Sequence, residues 1–520
     1  MTIKNDYCST IQTHNKRLPI VFKSILIGIG VSLVTIFYRL ALTSAEKLSN
    51  SLYNFIGENQ LLIFPLFMCL GALGWFVGHL VKRNPQIGGS GIPQVKGQIM
   101  GYFKYPWIST LLTKFIGGTV SILAGLSVGR EGPSIQLGAA TAHGLGERLS
   151  NTRTERKILI ASGASAGLAT AFNAPLAGVM FALEEIFKYF SPTILLATIT
   201  SAVTADFIAT IFFGLDPIFN FTLNNVVPLN NYWIIVVLGV IVGTFGAFYN
   251  YILIKTMSIY KTIAAYNANL KFIIPFIVAG ILGLTFPIVL GGGEHIVESL
   301  NSSNSLRWLL LVLVVKFFFS MISFGSGVPG GIFFPLLVIG SLIGGIFANI
   351  TINALGMDPD LFYNFVILAM AGFFTAIVRA PITGVILLTE MTGSFSQLSS
   401  LTAVSIVAYV TADLLKSAPI YDSLLDLQLK EKVNHKDEQD DFKKVTIDTI
   451  VHHGSKIENC YLKDLGLPSG NLVIAIRRHG KDITPNGLTK IQPEDHLIIL
   501  TSVNQETCVR ELLQKLTDSD

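Results

Sequence analysis

Gly129-Arg130-Glu131-Gly132-Pro133 (GREGP) breaks a long apolar region with two glycines, a proline and two opposite charges. Backbone that leaves the helix at membrane depth persists only where protein or a wet cavity satisfies its polar groups. A break of this kind therefore marks an interior and not a lipid-facing loop. The chain around it is apolar enough to make the membrane the relevant solvent: of 520 residues, 51% are hydrophobic and 13% charged, against roughly 25% charged in an average soluble domain. Stretches such as Ile20 to Tyr38 and Trp233 to Ile254 carry at most one charged residue. This composition predicts an integral membrane protein. A net charge of +4 on such a body gives no reason to expect a nucleic acid partner. Cys8, Cys69, Cys460 and Cys508 lack any CxxC or Cys/His spacing, so neither a disulfide framework nor a zinc site is expected.

Two further breaks share the character of the first: Gly89-Ser90-Gly91-Ile92-Pro93 and Gly330-Gly331-Ile332-Phe333-Phe334-Pro335. Proline is favourable in a first helical turn, where its missing N–H has no partner to lose, and glycine lets a ligand approach the backbone. Each stretch reads as a helix start. Helix N-termini present free N–H groups and about half a positive charge, so several converging on one point would hold an anion without a full cation. A cation site would ask instead for carbonyls or carboxylate rings. The alternative is that these residues simply kink packed helices. Glu131 is the sharpest single residue, because an intramembrane carboxylate is expensive and functional by default. Ionised, it would compete with an anion for the same dipoles, and protonation would release it; a structural ion pair with Arg130 is the alternative.

The apolar part is also duplicated. Ala166-Gly167-x-x-Thr170-Ala171, Ala174-Pro175-x-x-Gly178-Val179 and Glu184 reappear as Ala371-Gly372-x-x-Thr375-Ala376, Ala380-Pro381-x-x-Gly384-Val385 and Glu390. Gly129-x-x-x-Pro133-x4-Gly138 reappears as Gly331-x-x-x-Pro335-x4-Gly340, so the offset stays between 202 and 206 residues. Duplicated halves with interrupted helices at corresponding positions are the pattern of transporters whose site lies at the midplane between the repeats. Inverted halves are the expectation from that pattern, although residues alone do not reveal inversion.

GSGIP, GREGP and GGIFFP, in this order and with APLAGVMFALEE between the second and third, resemble the signature segments of the CLC family of chloride channels and chloride/proton exchangers. The resemblance covers roughly residues 20 to 425. It implies that the Ser90 hydroxyl, the N–H groups of Ile332 and Phe333, and the hydroxyl of Tyr421 in PIYDSLL coordinate a central anion. It implies also that Glu131 is the gating glutamate and Glu185 the inner proton-transfer glutamate of the exchangers, a position where channel members commonly lack a carboxylate. The residues themselves leave Glu184 and Glu185 open to a plainer reading as a solvated helix end. Glu184 is expected to be structural or to support the proton path, and Glu390 to be structural. Serine at position 90 favours chloride, since relatives specialised for nitrate or fluoride commonly depart from it. Gln94 departs from the Glu common in bacterial relatives but leaves the ligand set untouched.

From about residue 426 the composition changes, with 29 Asp, Glu, Lys and Arg among the last 95 residues. Lys430 to Lys444 reads as a charged linker or, equally, a solvated helix face. Strand-like runs at 444–450, 471–477 and 496–501 and a closing helix near 506–515 predict a small α+β domain. It resembles the C-terminal subdomain of regulators of potassium conductance (RCK_C, or TrkA-C, type), some of which bind cyclic di-AMP at a dimer interface. Asn471, Arg477, Arg478 and His479 are candidate ligand contacts, with strand-end surface charges as the alternative; an arginine often found before the asparagine is absent from GLPSG.

The expected fold is thus an all-α polytopic membrane protein of two repeated halves, about 19–215 and 230–425, built of short, tilted, broken helices. A polar tail (1–18) precedes it, and a linker (426–444) and an RCK_C-like domain (445–520) follow. The expected function is chloride/proton antiport by a homodimer, with a gated passive chloride channel as the alternative. No enzyme activity, metal or cofactor is expected, since the apolar part holds no His/Glu cluster or nucleophile–base arrangement. Lys16, Arg17, Lys82, Arg83, Arg153, Arg156 and Lys157 suggest a cytoplasmic N-terminus; a plasma membrane location and a cytoplasmic C-terminus are also expected.

Overall fold

The computed structural model describes residues 3–219, 221, 223, 225–434, 444–478, 481–502 and 505–517. The chain forms two compact units, Met1–Leu425 and Asp426–Asp520. Helices of the first unit fall into two matching series. The first consists of α1 (Ile3–Glu58), α2 (Ile63–Arg83), α3 (Ile92–Met100), α4 (Trp107–Leu123), α5 (Glu131–Leu149), α6 (Arg153–Phe172), α7 (Pro175–Phe181) and α8 (Pro192–Phe213). The second consists of α9 (Tyr232–Tyr266), α10 (Leu270–Thr285), α11 (Glu294–Glu298), α12 (Leu306–Gly325), α13 (Phe333–Leu355), α14 (Phe362–Val378), α15 (Pro381–Thr392) and α16 (Leu398–Leu414). A further helix, α17 (Ile420–Asn434), follows.

Seven helical segments among the described residues are long and apolar enough to cross a membrane, and four shorter helices are also apolar. The Phe333–Leu355 window is 89% buried while that of Gln60–Arg83 is 22% buried, so α13 is core and α2 is periphery. Glycines let the central helices touch. A Cβ on Gly138 of α5 would stand 2.2 Å from the carbonyl oxygen of Gly163 on α6, and one on Gly344 of α13 would stand 2.6 Å from the Cα of Val366 on α14. In hydrocarbon, where apolar surface gains nothing by leaving lipid, such close backbone packing replaces the hydrophobic drive.

The two series are related by a local two-fold axis. Gly129 donates its N–H to the carbonyl of Gly331 at 2.7 Å, and Gly331 returns the same bond to Gly129 at 2.7 Å. Glu184 accepts from the N–H groups of Ile382 (3.2 Å) and Thr383 (2.7 Å) at the start of α15. Glu390 accepts from Leu176 (3.0 Å) and Ala177 (2.7 Å) at the start of α7. Lys114 donates to the carbonyls of Ile87 and Gly89, and Lys316 to those of Val289 and Gly291. The glycine and glutamate bonds run both ways between equivalent positions and the lysine bonds repeat within each series, as a two-fold related duplication requires.

The second unit holds β1 (Lys444–Ile450), β2 (Leu472–Arg478), β3 (Lys481–Ile483) and β4 (His496–Ser502) in one antiparallel sheet of order β1-β4-β2-β3, with α18 (Glu506–Thr517) packed on it. Ile447, Ile476, Leu497, Ile499, Val509 and Leu513 form its core. β3 was not among the expected strands: three residues are too few for a periodicity to register. Helix also covers much of the polar tail, since α1 begins at Ile3, and α17 continues to Asn434 into the charged segment, where a helix face was one of the two expectations. Hydropathy locates where a chain enters lipid, whereas a helix ends only where its backbone ladder does.

Candidate functional site

The three glycine-rich breaks meet. Gly89 donates its N–H to the carbonyls of Gly327 and Val328, and Gly330 donates back to Gly89 (3.1 Å), tying the GSGIP loop to the segment before α13. The Gly129–Gly331 pair ties the GREGP loop to the same segment. The first two loops also touch directly, since a Cβ on Gly132 would lie 2.7 Å from the Ser90 carbonyl and 3.0 Å from the Ser90 Cβ. Helices α3, α5 and α13 therefore begin side by side, and the first N–H groups of each have no partner within their own helix.

Ser90 is 2% exposed, Ile332 1%, and Phe333 and Tyr421 are fully buried. The Ser90 hydroxyl accepts from the Ile92 N–H at 3.1 Å, which fixes its lone pairs toward the α3 start. Phe181 bridges the remaining pieces, its ring centroid 5.9 Å from that of Phe333 and 6.2 Å from that of Tyr421. The Tyr421 hydroxyl is buried with no hydrogen-bond partner among the described residues. A phenolic O–H left unpaired in an apolar core costs free energy unless a ligand takes it.

Glu131 is fully buried at the first position of α5. Neither carboxylate oxygen has a hydrogen-bond partner of regular geometry among the described residues, although the carboxylate lies near the α13 start, since a Cβ on Gly129 would stand 2.4 Å from Glu131 Oε2 and 3.2 Å from the Phe334 nitrogen. Arg130 lies 3.9 Å from Glu131 Oε1 and is equally 3.9 Å from Glu294. A contact so long and so shared is no tight ion pair. A cavity holding Glu131, Arg130, Glu294, Glu46 and Phe334 opens beside the carboxylate.

On α7 the chain passes into a π-helical turn, Ala182–Phe187. Such turns are frequent at functional sites. Here the turn sends two adjacent carboxylates to different partners. Glu184 caps α15, while Glu185, 2% exposed, meets Lys96 Nζ at 2.9 Å. The solvated helix end admitted by the sequence is thus absent for Glu185. Lys96, Asp422 and Lys188 were not singled out by the sequence reading, and Lys114 and Lys316 were missed as well. A lysine recurring 202 residues apart inside two apolar helices was a signal available for the last pair.

In the second unit Asn471 donates to the Pro468 carbonyl and to Gln505, and its own Oδ1 is buried without a partner among the described residues. Arg477 faces Asp482 across the β2–β3 ladder at 2.9 Å, and Arg478 grips Asp495 through two bonds of 2.7 Å. These carboxylates raise both guanidinium pKa values through their hydrogen bonds, so both stay charged. His479 lies outside the described residues.

Residues 73–413 match the family described as voltage gated chloride channel, and residues 449–514 match the TrkA-C domain. The H(+)/Cl(-) exchange transporter ClcA of Vibrio cholerae is 33% identical over 429 residues, which cover 79% of this chain and 90% of that protein. ClcA of Klebsiella pneumoniae is 30% identical over 434 residues, covering 81% and 91%. The crystal structure of a slow cyanobacterial Cl-/H+ antiporter superposes with a TM-score of 0.76 at 29% identity, covering 80% of this chain and 99% of that one. With three helix starts pinned around a buried carboxylate inside a duplicated membrane body, the chain belongs to the voltage-gated chloride channel (CLC) family and carries a TrkA-C domain behind its membrane unit.

Proposed function

We propose that the protein exchanges chloride for protons across the membrane. The observation that carries this reading is the fully buried Glu131 carboxylate, without a regular hydrogen bond among the described residues, at the shared start of α3, α5 and α13. An oxygen anion there stands where N–H dipoles favour negative charge, so Glu131 and a halide compete for one position. Protonation of Glu131 removes its claim and a chloride takes its place. The Ser90 and Tyr421 hydroxyls and the N–H groups of Ile332 and Phe333 serve as the chloride ligands. Glu185 serves as the second proton carrier, and its burial in a chain that spends a carboxylate there favours exchange over passive conduction.

The relatives bearing the name exchange transporter support the same reading. The protein acts as a homodimer in the plasma membrane with both termini on the cytoplasmic side, a reading supported by the basic residues Lys82 and Arg83 at the end of α2 and Arg153, Arg156 and Lys157 at the start of α6. Its TrkA-C domain takes a regulatory ligand of the cyclic dinucleotide class, with the unpaired Asn471 Oδ1 as the polar contact on offer.

Purified protein in liposomes with a chloride gradient and no proton gradient tests the main reading. Proton uptake that accompanies chloride efflux and sets the reversal potential is expected. A reversal potential that stays at the chloride equilibrium potential whatever pH gradient is imposed would make the protein a passive channel.

A further inference from the structure

Four charged side chains form a row that the exchange mechanism above does not use in full. Lys96 Nζ, on α3, is 2.9 Å from Glu185 Oε1 and is also hydrogen-bonded to Asp422 Oδ1 on α17. Lys188, just past the π-helical turn, bonds the other oxygen of Asp422. Two carboxylates thus share one ammonium. The row climbs from the interior toward water, with side-chain exposures of 2% for Glu185, 1% for Lys96, 31% for Asp422 and 42% for Lys188. Lys188 lines a cavity of about 300 Å³ together with Glu184, Arg379 and Asp413. Tyr421, beside Asp422, is a further titratable group near Glu185 among the described residues.

The duplication separates this row from the scaffold. Lys114 and Lys316 sit 202 residues apart and make the same bonds, whereas the position 202 residues after Lys96 is Glu298, a side chain 65% exposed. Lys96 thus belongs to one half alone. A buried ammonium is costly without a partner, and this one stands between two acids.

We propose that Lys96 is the positioning residue for Glu185 and that Asp422 competes for the same ammonium, the two together setting the pH at which Glu185 takes up a proton. This rests on the reading of Glu185 as a proton carrier. An ammonium against a buried carboxylate favours its charged form, and a neighbouring carboxylate disfavours it. Removing Lys96 therefore lets Glu185 bind a proton in more alkaline solution. Removing the charge of Asp422 leaves Lys96 to Glu185 alone and takes away a like charge, so more acid is needed. The two displacements have opposite signs, a pattern that loss of packing does not produce.

The test measures chloride-driven proton transport by the full-length chain in liposomes, with pH varied on one face at a time. Lys96→Met is expected to move the midpoint of the pH profile up by about one unit or more, and Asp422→Asn to move it down by a smaller amount. Lys96→Arg, which keeps the charge, is expected to restore the original profile. Displacements of the same sign, or none, in variants that elute as folded protein would overturn the proposal while Glu185→Gln still abolishes proton transport. Should Lys96→Met fail to fold, Asp422→Asn alone decides, since an alkaline or absent displacement there overturns it. Proton transport surviving in Glu185→Gln would sink the reading of Glu185 itself and this proposal with it, a result distinct from the first.

Discussion

The two halves of the membrane unit have one backbone plan and unlike side chains at a few points. Glu131 opens α5, and the equivalent first residue of α13, 202 positions on, is Phe333. Glu185 corresponds to Met391, and Ser90 to Gly292, while Glu184 and Glu390, and Lys114 and Lys316, are matched pairs making matched bonds. Residues common to both halves hold the fold together. Those present in one half only gather at the proposed anion and proton path. A duplicated body supplies two symmetric sets of helix starts, and the residues proposed for the chemistry lie where that symmetry is broken.

The largest effect should come from erasing the sharpest difference. Glu131→Gln keeps the shape of α5 but removes the titrating charge, so chloride flux is expected to continue while proton movement falls to background in paired electrode recordings. Tight coupling in that variant would mean the half-specific carboxylate is not the gate. Glu185→Val, which makes the position apolar like its partner Met391, should abolish proton transport and retain chloride flux. Proton pumping that persists would return Glu185 to the scaffold.

The matched pairs should behave as pairs. Glu184→Ala and Glu390→Ala each remove the acceptor of two helix-start N–H groups, one exposed and one partly buried, at about 1 kcal/mol per lost bond, and Glu184→Ala also strips the Thr383 hydroxyl of its acceptor. Thermal unfolding in detergent should therefore show two losses of similar size. The expectation is the same for Lys114→Met and Lys316→Met, each of which abandons two carbonyls. A loss confined to one member of a pair would blur the division between scaffold and chemistry. The smallest effect is expected from deleting residues 435–520, which should leave the proton-to-chloride ratio at the full-length value in the same recordings.

Much of the site was legible because its residues are contiguous. GSGIP, GREGP and GGIFFP each contain both a helix start and the groups it presents, so local chemistry and local structure coincide. The offset between Glu184 and Glu390 could likewise be read along the chain. The Lys96–Asp422 pair could not, because 326 residues separate its members and neither has a motif of its own. β3 escaped for a different reason, being an edge strand held by pairing with β2 and not by any pattern within itself.

The amino-acid order by itself determined the solvent, the duplication, the places where helices begin and the presence of one acid among them. These follow from hydropathy, from glycine and proline stereochemistry, and from spacing, all of which act within a few residues. Only the tertiary structure decided what each of two neighbouring acids does. Glu184 and Glu185 are chemically the same, yet a π-helical turn aims one at the start of α15 and the other at a lysine on α3. The direction of a side chain, and hence whether its charge caps a helix or meets a buried ammonium, depends on neighbours that lie far away along the chain.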